Sequence, residues 1–549
     1  MHFKIKTINN RKYLYIIKNE RVDGKVVQTI QKYVGSADKV YQLIASNKPT
    51  RIASYSFGKP AAFIKAAEET GLIESLNKHV NRKKIDGLTP AQYLLLIIIG
   101  RSEHALSRNV LDEYFKRSSL QFVWAPKYKL SSQNFLNYMA KLDEDTIRRI
   151  ELDVSRTLIK QGLKPTRLIF DTTNFYTHIE HGETLPHKGS SKDKRYDKNL
   201  IGVGLIASDH NIPFQSITYP ANKHDALLFS ELIDGICERL QEIDIATENI
   251  TIIFDRGMNS SDNIKRLIDN MHIVGSLPAS MCRDLFRIPV SEFGETWKNA
   301  SGHTIKAHFV SGNWYECDLV GIIRYNDATK RKSLVEWDRN KQKIYAKIDD
   351  IRSKLGRTGR GRKLTAKGLI NRVVDAIPKQ YRGLFDYSVV EVDGKLQLNF
   401  ELNENRERDY LAAMGKTVIV TDMKNLTGQQ VAETYDARGQ IETDIKWLKN
   451  SLLIPLKPAY VRNDLKIRAH VFLCVMGLLL YNYLLYLIGN EVLSMERLAY
   501  HLDQMRLGLV YTGDKNVKSW GGAEFVIEDM SRDAAEVFNK LNLDKYIPA

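Results

Sequence analysis

Cysteine is scarce in this chain, with 4 residues among 549. The four, Cys237, Cys282, Cys317 and Cys474, are scattered, and none belongs to a CxxC pair. This excludes a disulfide framework and a four-cysteine zinc site. Internal repeats are also lacking, and the first residues, MHFKIKTINN, contain no apolar stretch of the signal-peptide kind. We therefore expect a large protein that stays inside the cell.

The chain has fewer acidic than basic residues. The chain has 81 lysines and arginines against 65 acidic residues, which gives a net charge of +16. Charged residues make up 27% and the apolar types 43%, values that argue against disorder and against a protein with several membrane spans. The positive surplus favours a polyanion such as nucleic acid as partner.

Long apolar runs are absent apart from one, Val471 to Ile488, which reads VFLCVMGLLLYNYLLYLI. Its length would suit a marginal membrane span. It contains Asn482 flanked by tyrosines, and no second run of this length occurs. A buried helix that is apolar on all sides explains it better than a lone membrane anchor. We expect no membrane partner.

Changes in periodicity along the chain predict an α/β protein. After Pro165 the order is three strands, helix, strand, helix, strand. Short connections allow the first three strands to be antiparallel, and helical crossovers place the later ones parallel to the first. This is the order of an RNase-H-like core with a mixed five-stranded sheet flanked by helices.

Six regions follow from the same patterns. The β-rich insertion is expected to contain a basic helical stretch from Arg339 to Arg372, and a long helix is expected from Gly428 to Leu452. The regions are 1–55, β-rich and predicted to bind DNA; 56–162, helical; 163–290, first part of the core; 291–417, β-rich insertion; 418–500, second part of the core; and 501–549, a tail with an amphipathic helix that is a candidate dimerisation contact.

Two aspartates occupy similar positions. Asp171 follows Leu-Ile-Phe and Asp255 follows Ile-Ile-Phe, so both are predicted at the carboxyl end of an apolar strand. Ligands of α/β sheets are held at such ends, and an unpaired carboxylate is costly to bury. The alternative for each is an aspartate that begins a turn. Two of them within 84 positions (255 − 171) make a functional role as good an explanation.

A third carboxylate lies on a predicted helix. Tyr435, Arg438, Glu442 and Lys449 are spaced by 3, 4 and 7, which places them on one stripe. Alone, the stripe would be a solvated charged face. Together with the two aspartates, Glu442 completes a set of hard oxygen ligands suited to Mg²⁺.

These residues resemble the DDE transposases of bacterial insertion sequences. The motifs are Asp171-Thr172-Thr173, Asp255-Arg256-Gly257 and the set Tyr435, Arg438, Glu442 and Lys449. They are similar to the cut-and-paste group that carries the YREK signature and a β-rich insertion before the glutamate, which the gap of 187 residues (442 − 255) fits. The stretch from Ser191 to Asp197 also resembles the family. Gly439 departs from its pattern, since the family usually has a bulky apolar residue there.

The resemblance implies a site and a reaction. Asp171, Asp255 and Glu442 would hold Mg²⁺, for which Mn²⁺ can substitute, as a pair of ions. Tyr435, Arg438 and Lys449 would grip phosphates near the transposon end. Water would cut one strand, and the 3′-OH would form a hairpin that is reopened and joined to target DNA. The implied partners are double-stranded DNA, as terminal inverted repeats and target, and a second copy in a synaptic homodimer. The implied location is the bacterial or archaeal cytoplasm, at the nucleoid.

Further DNA contacts are predicted with less support. A hairpin requires a base to leave the stack, and an aromatic of the insertion typically receives it; a core role is the alternative for the two tryptophans concerned, Trp297 and Trp314. The basic stretch from Arg352 to Lys367 could follow a phosphate backbone, with a solvated helix-and-loop surface as the alternative. The cationic candidates are Arg256, Arg357, Arg360, Arg362 and Lys363.

Two alternatives remain open. The cluster His178, Glu180, His181 and His187 could bind zinc, but its spacing is irregular. The chain could also be a catalytically silent DNA-binding repressor or a domesticated transposase. The intact carboxylate triad favours an active enzyme, because an inactive element would be expected to lose one of the three ligands by mutation.

Overall fold

The computed structural model describes residues 2–22, 25–38, 40, 51–81, 83–85, 87–126, 128–223, 225–255, 257, 260–355, 364–392, 395–489, 493–511 and 523–548. The predicted DNA contacts Arg256, Arg357, Arg360, Arg362 and Lys363 lie outside these residues. The chain forms two compact units. The first consists of Met1–Val154 with Trp447–Ala549, and the second consists of Ser155–Lys446.

The described strands are β1 (His2–Ile8), β2 (Arg11–Val22), β3 (Lys25–Ser36), β4 (Arg51–Ser56), β5 (Arg167–Thr177), β6 (Asn199–Ser208), β7 (Pro213–Pro220), β8 (Thr251–Phe254), β9 (His272–Ser276), β10 (Glu295–Lys298), β11 (Thr304–Trp314), β12 (Cys317–Asn326), β13 (Phe385–Val392), β14 (Lys395–Leu402), β15 (Lys416–Thr421), β16 (Arg506–Tyr511) and β17 (Ala523–Ile527).

The described α-helices are α1 (Gly58–Glu69), α2 (Leu72–His79), α3 (Pro90–Ser102), α4 (Leu111–Lys116), α5 (Leu120–Trp124), α6 (Ser132–Met139), α7 (Glu144–Lys160), α8 (Asp225–Glu242), α9 (Ser261–Ile268), α10 (Arg283–Arg287), α11 (Asp327–Lys354), α12 (Ala366–Ala376), α13 (Glu404–Ala413), α14 (Gly428–Asp436), α15 (Arg438–Trp447), α16 (Asp464–Ile488), α17 (Met495–Gln504) and α18 (Arg532–Lys540).

The first unit contains two small antiparallel sheets and a helical core. Strands β1, β2 and β3 form the meander expected near the amino terminus, whereas β4 pairs with β16. Helix α16 is long and apolar enough to cross a membrane, with a mean hydropathy of 2.2. Its most apolar window is 83% buried inside the protein, against helices that include α1 and α3. Packing in the core therefore accounts for its apolar surface.

The second unit is built on one mixed sheet of nine strands, in the order β10-β11-β12-β15-β9-β8-β5-β6-β7. Strands β5, β6 and β7 are antiparallel neighbours, and β8 and β9 run parallel to β5, as the sequence predicts. The predicted number of five strands is wrong. The sheet continues because β15 pairs antiparallel with β9 on one side and with β12 on the other.

A separate apolar core lies within the region predicted as the insertion. Hairpin β13–β14 packs with α11 and α12 around the buried Trp337, whose indole donates a hydrogen bond to Glu407. Helix α11 begins at Asp327, earlier than the predicted Arg339, because the Asn326 side chain caps it by accepting hydrogen bonds from two backbone N–H groups.

Candidate active site

The two aspartates lie side by side on parallel strands. Ile169 of β5 pairs with Ile253 of β8, so Asp171 and Asp255 follow at the same level, two residues further on. Asp255 comes directly after the end of β8, as predicted. Asp171 lies inside β5, which continues to Thr177, so its predicted position at a strand end is wrong. Its ladder with β6 extends the strand past the end of β8.

Both aspartates are anchored by the residue before them. Phe170 and Phe254 are fully buried and pack on the Phe229 ring of α8, with ring centroids 5.1 and 5.5 Å away. Because side chains alternate along a strand, the aspartates face the other side of the sheet. A rigid hydrophobic layer thus fixes the backbone beneath both carboxylates.

The third carboxylate reaches the site on a pair of short helices. Thr427 and Gln430 form a capping box at the start of α14. The carboxylate of Glu295 accepts hydrogen bonds from the N–H groups of Gly428 and Gln429, at 2.8 and 3.0 Å, so a negative charge sits at the positive end of this helix. A turn at Ala437 separates α14 from α15, which carries Glu442.

Tyr435 and Arg438 lie against each other at this junction. The Arg438 guanidinium is 5.2 Å from the centroid of the Tyr435 ring, which is buried. Burial raises the pKa of Tyr435, although a hydrogen bond with the Ser276 side chain at the end of β9 opposes the shift. Tyr435 therefore stays a neutral phenol that holds the guanidinium plane.

Arg438 is the centre of the site. Its Nη1 lies 3.0 Å from Asp255 Oδ2, and its Nη2 lies 3.1 Å from Glu442 Oε1. The Arg438 side chain is 22% exposed, and the two carboxylates are 40% and 44% exposed. Burial works against the charge of Arg438, but Tyr435 and the carboxylates, including Asp171, outweigh it and raise its pKa. The guanidinium remains charged.

Asp171 is a carboxylate whose charge is disfavoured by burial. Burial raises its pKa, and the negative charge of Glu442 adds to this shift, while Lys192 and Arg438 oppose it. The Lys192 ammonium is 3.4 Å from the Thr172 hydroxyl and also donates to the Thr172 carbonyl. Lys192 is thus a cation of the site to which the sequence patterns assigned no role.

The donor set fits a divalent cation. Three carboxylates supply hard oxygen ligands, and a second positive charge near Asp171 would relieve the cost of burying its charge. Across the part of the chain that the structure describes, no group of three or more His, Cys, Asp or Glu side chains is gathered as a ready ligand set. Arg438 instead lies between Asp255 and Glu442. The histidine cluster at 178–187 is likewise not gathered into a zinc site.

The predicted helical stripe ends early. The prediction of one helix from Gly428 to Leu452 is wrong in two respects: a turn at Ala437 divides it into α14 and α15, and α15 stops at Trp447. Lys449 therefore lies in the turn beyond α15. The Asn450 side chain accepts a hydrogen bond from the N–H of Leu452, a local turn that competes with the helix. Tyr435, Arg438 and Glu442 are brought together in the second unit, whereas Lys449 belongs to the first.

The two candidate tryptophans lie at opposite strand ends of the sheet, that is, at the two borders where the strands begin and end. Trp297 of β10 pairs with Ile305 at the start of β11, on the edge toward which β8 and β9 run. Trp314 ends β11 at the other edge, and its ring covers Gly312 and Gly321, where an added Cβ would approach it to 2.8 Å. The structure does not bring Trp314 to the edge that holds the carboxylates.

Comparison with known protein families places the three carboxylates within a matched region. A family model described as the transposase DDE domain matches residues 162–480, which is more than half of the chain and includes all three carboxylates. No curated protein matches the chain. The chain therefore belongs to the DDE transposases, metal-dependent enzymes that cut DNA and transfer its strands.

Proposed function

We propose that this transposase is an active enzyme of the YREK group, which cuts the ends of an insertion sequence and joins them to target DNA. One observation carries the proposal: Arg438 bridges Asp255 and Glu442 and acts electrostatically on Asp171, so the four side chains form one charged cluster. The two bridged carboxylates are 40% and 44% exposed, so the cluster is open to solvent, from which a metal ion and DNA can reach it.

Asp171, Asp255 and Glu442 would hold the metal, which we propose to be a pair of Mg²⁺ ions. When bound, the ions supply an activated attacking oxygen and stabilise the leaving oxygen of the phosphodiester. The rigid layer under Phe170 and Phe254 keeps the two aspartates in place. Arg438, released from Asp255 and Glu442, would contact a phosphate of the transposon end as a fork of donors. Tyr435 would orient it, and Lys449 would contribute a point charge.

The fold supports the same proposal. The order β9-β8-β5-β6-β7 and its strand directions support an RNase-H-like core, and we propose that residues 291–417 are an insertion between Asp255 and Glu442. We infer that the amino-terminal meander and the helical region handle DNA, and that the tail contributes to a synaptic homodimer. The reaction would take place at the nucleoid of a bacterial or archaeal cytoplasm.

A hairpin intermediate is the finer part of the proposal. It requires a base to leave the stack and find an aromatic platform. Trp297 supports this role better than Trp314, because it lies at the edge toward which β8 runs.

The test uses purified protein and labelled DNA that carries the terminal inverted repeats of the element, with and without Mg²⁺. We expect metal-dependent nicking, a hairpin product, and the loss of both in Glu442→Gln with DNA binding retained. Cleavage that survives Asp171→Asn or Glu442→Gln would overturn the assignment of the site. Binding to the repeats without nicking in any divalent metal would instead support a silent DNA-binding repressor.

A further inference from the structure

The connection between β5 and β6, residues 178–198, folds back along β5 beside the carboxylates. We call it the β5–β6 loop. The side-chain amide of Asn174, in β5, makes two hydrogen bonds to the loop. Its Nδ2 donates to the carbonyl of Ser190 at 2.8 Å, and its Oδ1 accepts from the N–H of Lys192 at 3.1 Å. The loop is therefore held in register with the strand that carries Asp171.

The base of the β5–β6 loop is fixed as well. His187 and Leu200 exchange two backbone hydrogen bonds, at 3.0 and 2.8 Å. Gly189 passes so close to the end of β7 that an added Cβ would be 2.5 Å from the carbonyl oxygen of Ala221. Only glycine fits this approach without moving the backbone. The loop is thus built against two strands.

The outer part of the loop has its own internal order. The hydroxyl of the buried Ser191 accepts from the N–H of Arg195 at 2.9 Å. Arg195 in turn forms a two-bond fork with Asp197, with both distances 2.9 Å, and lies 4.8 Å from the centroid of the Tyr176 ring of β5. This bidentate pair stiffens the loop and neutralises one of its cations.

Positive charge remains in excess on this ordered segment. Between residues 188 and 198 the sequence has five basic and two acidic residues. Tyr196 stands 70% exposed among them. Lys192 directs its ammonium toward the strand, where it meets the carbonyl and hydroxyl of Thr172, next to Asp171. The Lys192 ammonium is therefore a cation next to Asp171, whose charge is disfavoured by burial.

From this geometry we propose that the β5–β6 loop binds the DNA backbone and that Lys192 contacts the phosphate nearest to Asp171. A lysine offers a compact charge with three donors, which matches a phosphate whose position shifts during successive strand cuts. Lys188 and Lys194 would follow the neighbouring phosphates of the same strand. The inference rests on the proposed function, since it assigns a substrate contact to the same site. Its chemistry fits transposon-end DNA and target DNA alike.

The experiment compares Lys192→Gln with Lys192→Arg in DNA binding. Fluorescence anisotropy over a range of salt concentrations would use two duplexes of equal length, one with the terminal repeat and one with unrelated sequence. We expect Lys192→Gln to weaken binding by about tenfold and to lower the salt slope by about 0.9. Lys192→Arg, which keeps the charge, should restore both. Loss on the repeat duplex alone would assign the contact to the transposon end, and loss on both would extend it to target DNA.

The matched control is Lys160→Gln, which removes one charge from the exposed end of α7. This residue precedes the start of β5 and so lies toward the edge opposite the site. It should bind DNA as the wild type does. Unchanged affinity and salt slope in Lys192→Gln would overturn the inference, as would a loss that Lys192→Arg fails to restore. Neither result touches the proposed function, which fails separately if the wild-type protein never nicks DNA.

Discussion

The guanidinium of Arg438 lies 3.0 Å from the carboxylate of Asp255, and this contact connects the helix that carries Glu442 to the strand edge that carries both aspartates. One arginine therefore holds Asp255 and Glu442 near each other. We propose the same arginine as a phosphate ligand, because its planar fork of donors, which now binds two carboxylates, also matches the oxygens of a phosphate. Metal and DNA binding are expected to be coupled through it.

The first prediction concerns this coupling. Arg438→Ala should weaken binding of the transposon end and reduce its salt slope by about 1, because one phosphate contact is lost. Arg438→Lys should keep most of the slope while binding less tightly, since a lysine cannot form the fork. Anisotropy titrations at several salt concentrations measure both. Equal affinity of the wild type and Arg438→Ala at every salt concentration would contradict a phosphate contact.

The second prediction concerns Asp171, whose negative charge is destabilised by burial. Its pKa is raised in the folded protein, so below the unfolded-state value of 3.8 the carboxyl is protonated in both states and costs nothing. As pH rises through the folded-state pKa, the native state must accept the charge and loses stability. Asp171→Asn should therefore melt higher than the wild type at neutral pH in EDTA, by about 2 °C.

Magnesium should reverse this order. A divalent cation binds the native wild type and not the unfolded chain, which raises its melting temperature by mass action. Asp171→Asn lacks one ligand and should gain less. Differential scanning fluorimetry with EDTA and with Mg²⁺ gives both comparisons. A wild type that melts at the same temperature in both would argue against a divalent site at these carboxylates.

The third prediction is an acid instability of the first unit. His470 of α16 is buried, and burial, together with Arg101 and Arg108, lowers its pKa to about 3. Its Nε2 donates to the carbonyl of Leu456 at 2.9 Å. Between pH 6.5, the usual pKa of histidine, and about pH 3, His470 is protonated in the unfolded chain and neutral in the native state. The free energy of unfolding therefore falls as the pH falls through this range.

His470→Gln removes the titration but keeps a donor for Leu456. Urea denaturation at pH 7 and pH 5 should show that the wild type loses about 2 kcal/mol more than the variant, from about 1.4 kcal/mol for each pH unit. Parallel losses in the two proteins would mean that His470 does not titrate in this range.

Much of the site could be predicted because its signals are local. The apolar runs before Asp171 and Asp255 predict their strands, and the spacing of Arg438 and Glu442 predicts that they share a face of α15. Tyr435 lies on α14, on the other side of the turn at Ala437. The placement of Lys192 could not be read in this way, because it depends on a loop that returns to Asn174, a contact with no periodic pattern. The end of α15 at Trp447 could not be predicted for a related reason, since the turn that follows it, with the hydrogen bond from Leu452 N–H to the Asn450 side chain, has no periodic signal.

The extent of the sheet depends on pairing between distant segments. Strand β15 has two neighbours in the sheet, and the sequence pattern indicates neither pairing. It joins β12 to β9 across the chain, and so adds β10, β11 and β12 to the strands of the core. The alternation of apolar and polar residues predicts that these segments are strands. It does not predict which strand of the core sheet they pair with.

The fourth prediction uses a glycine of the site helix. Gly439 lies in the first turn of α15, and a Cβ added there would meet nothing within 4 Å. Gly439→Ala should stabilise the second unit by about 0.5–1 kcal/mol, because alanine loses less backbone entropy in a helix. Gly415→Ala is the contrasting variant: its φ is +76° and its Cβ would lie 2.7 Å from the Asn326 carbonyl, so it should destabilise the unit. Denaturant midpoints of both variants measure the difference. A denaturation midpoint for Gly439→Ala below that of the wild type would show that this turn needs the backbone freedom of glycine. Backbone conformation, and not lack of space, would then explain why the chain has glycine where the family usually has a bulky apolar residue.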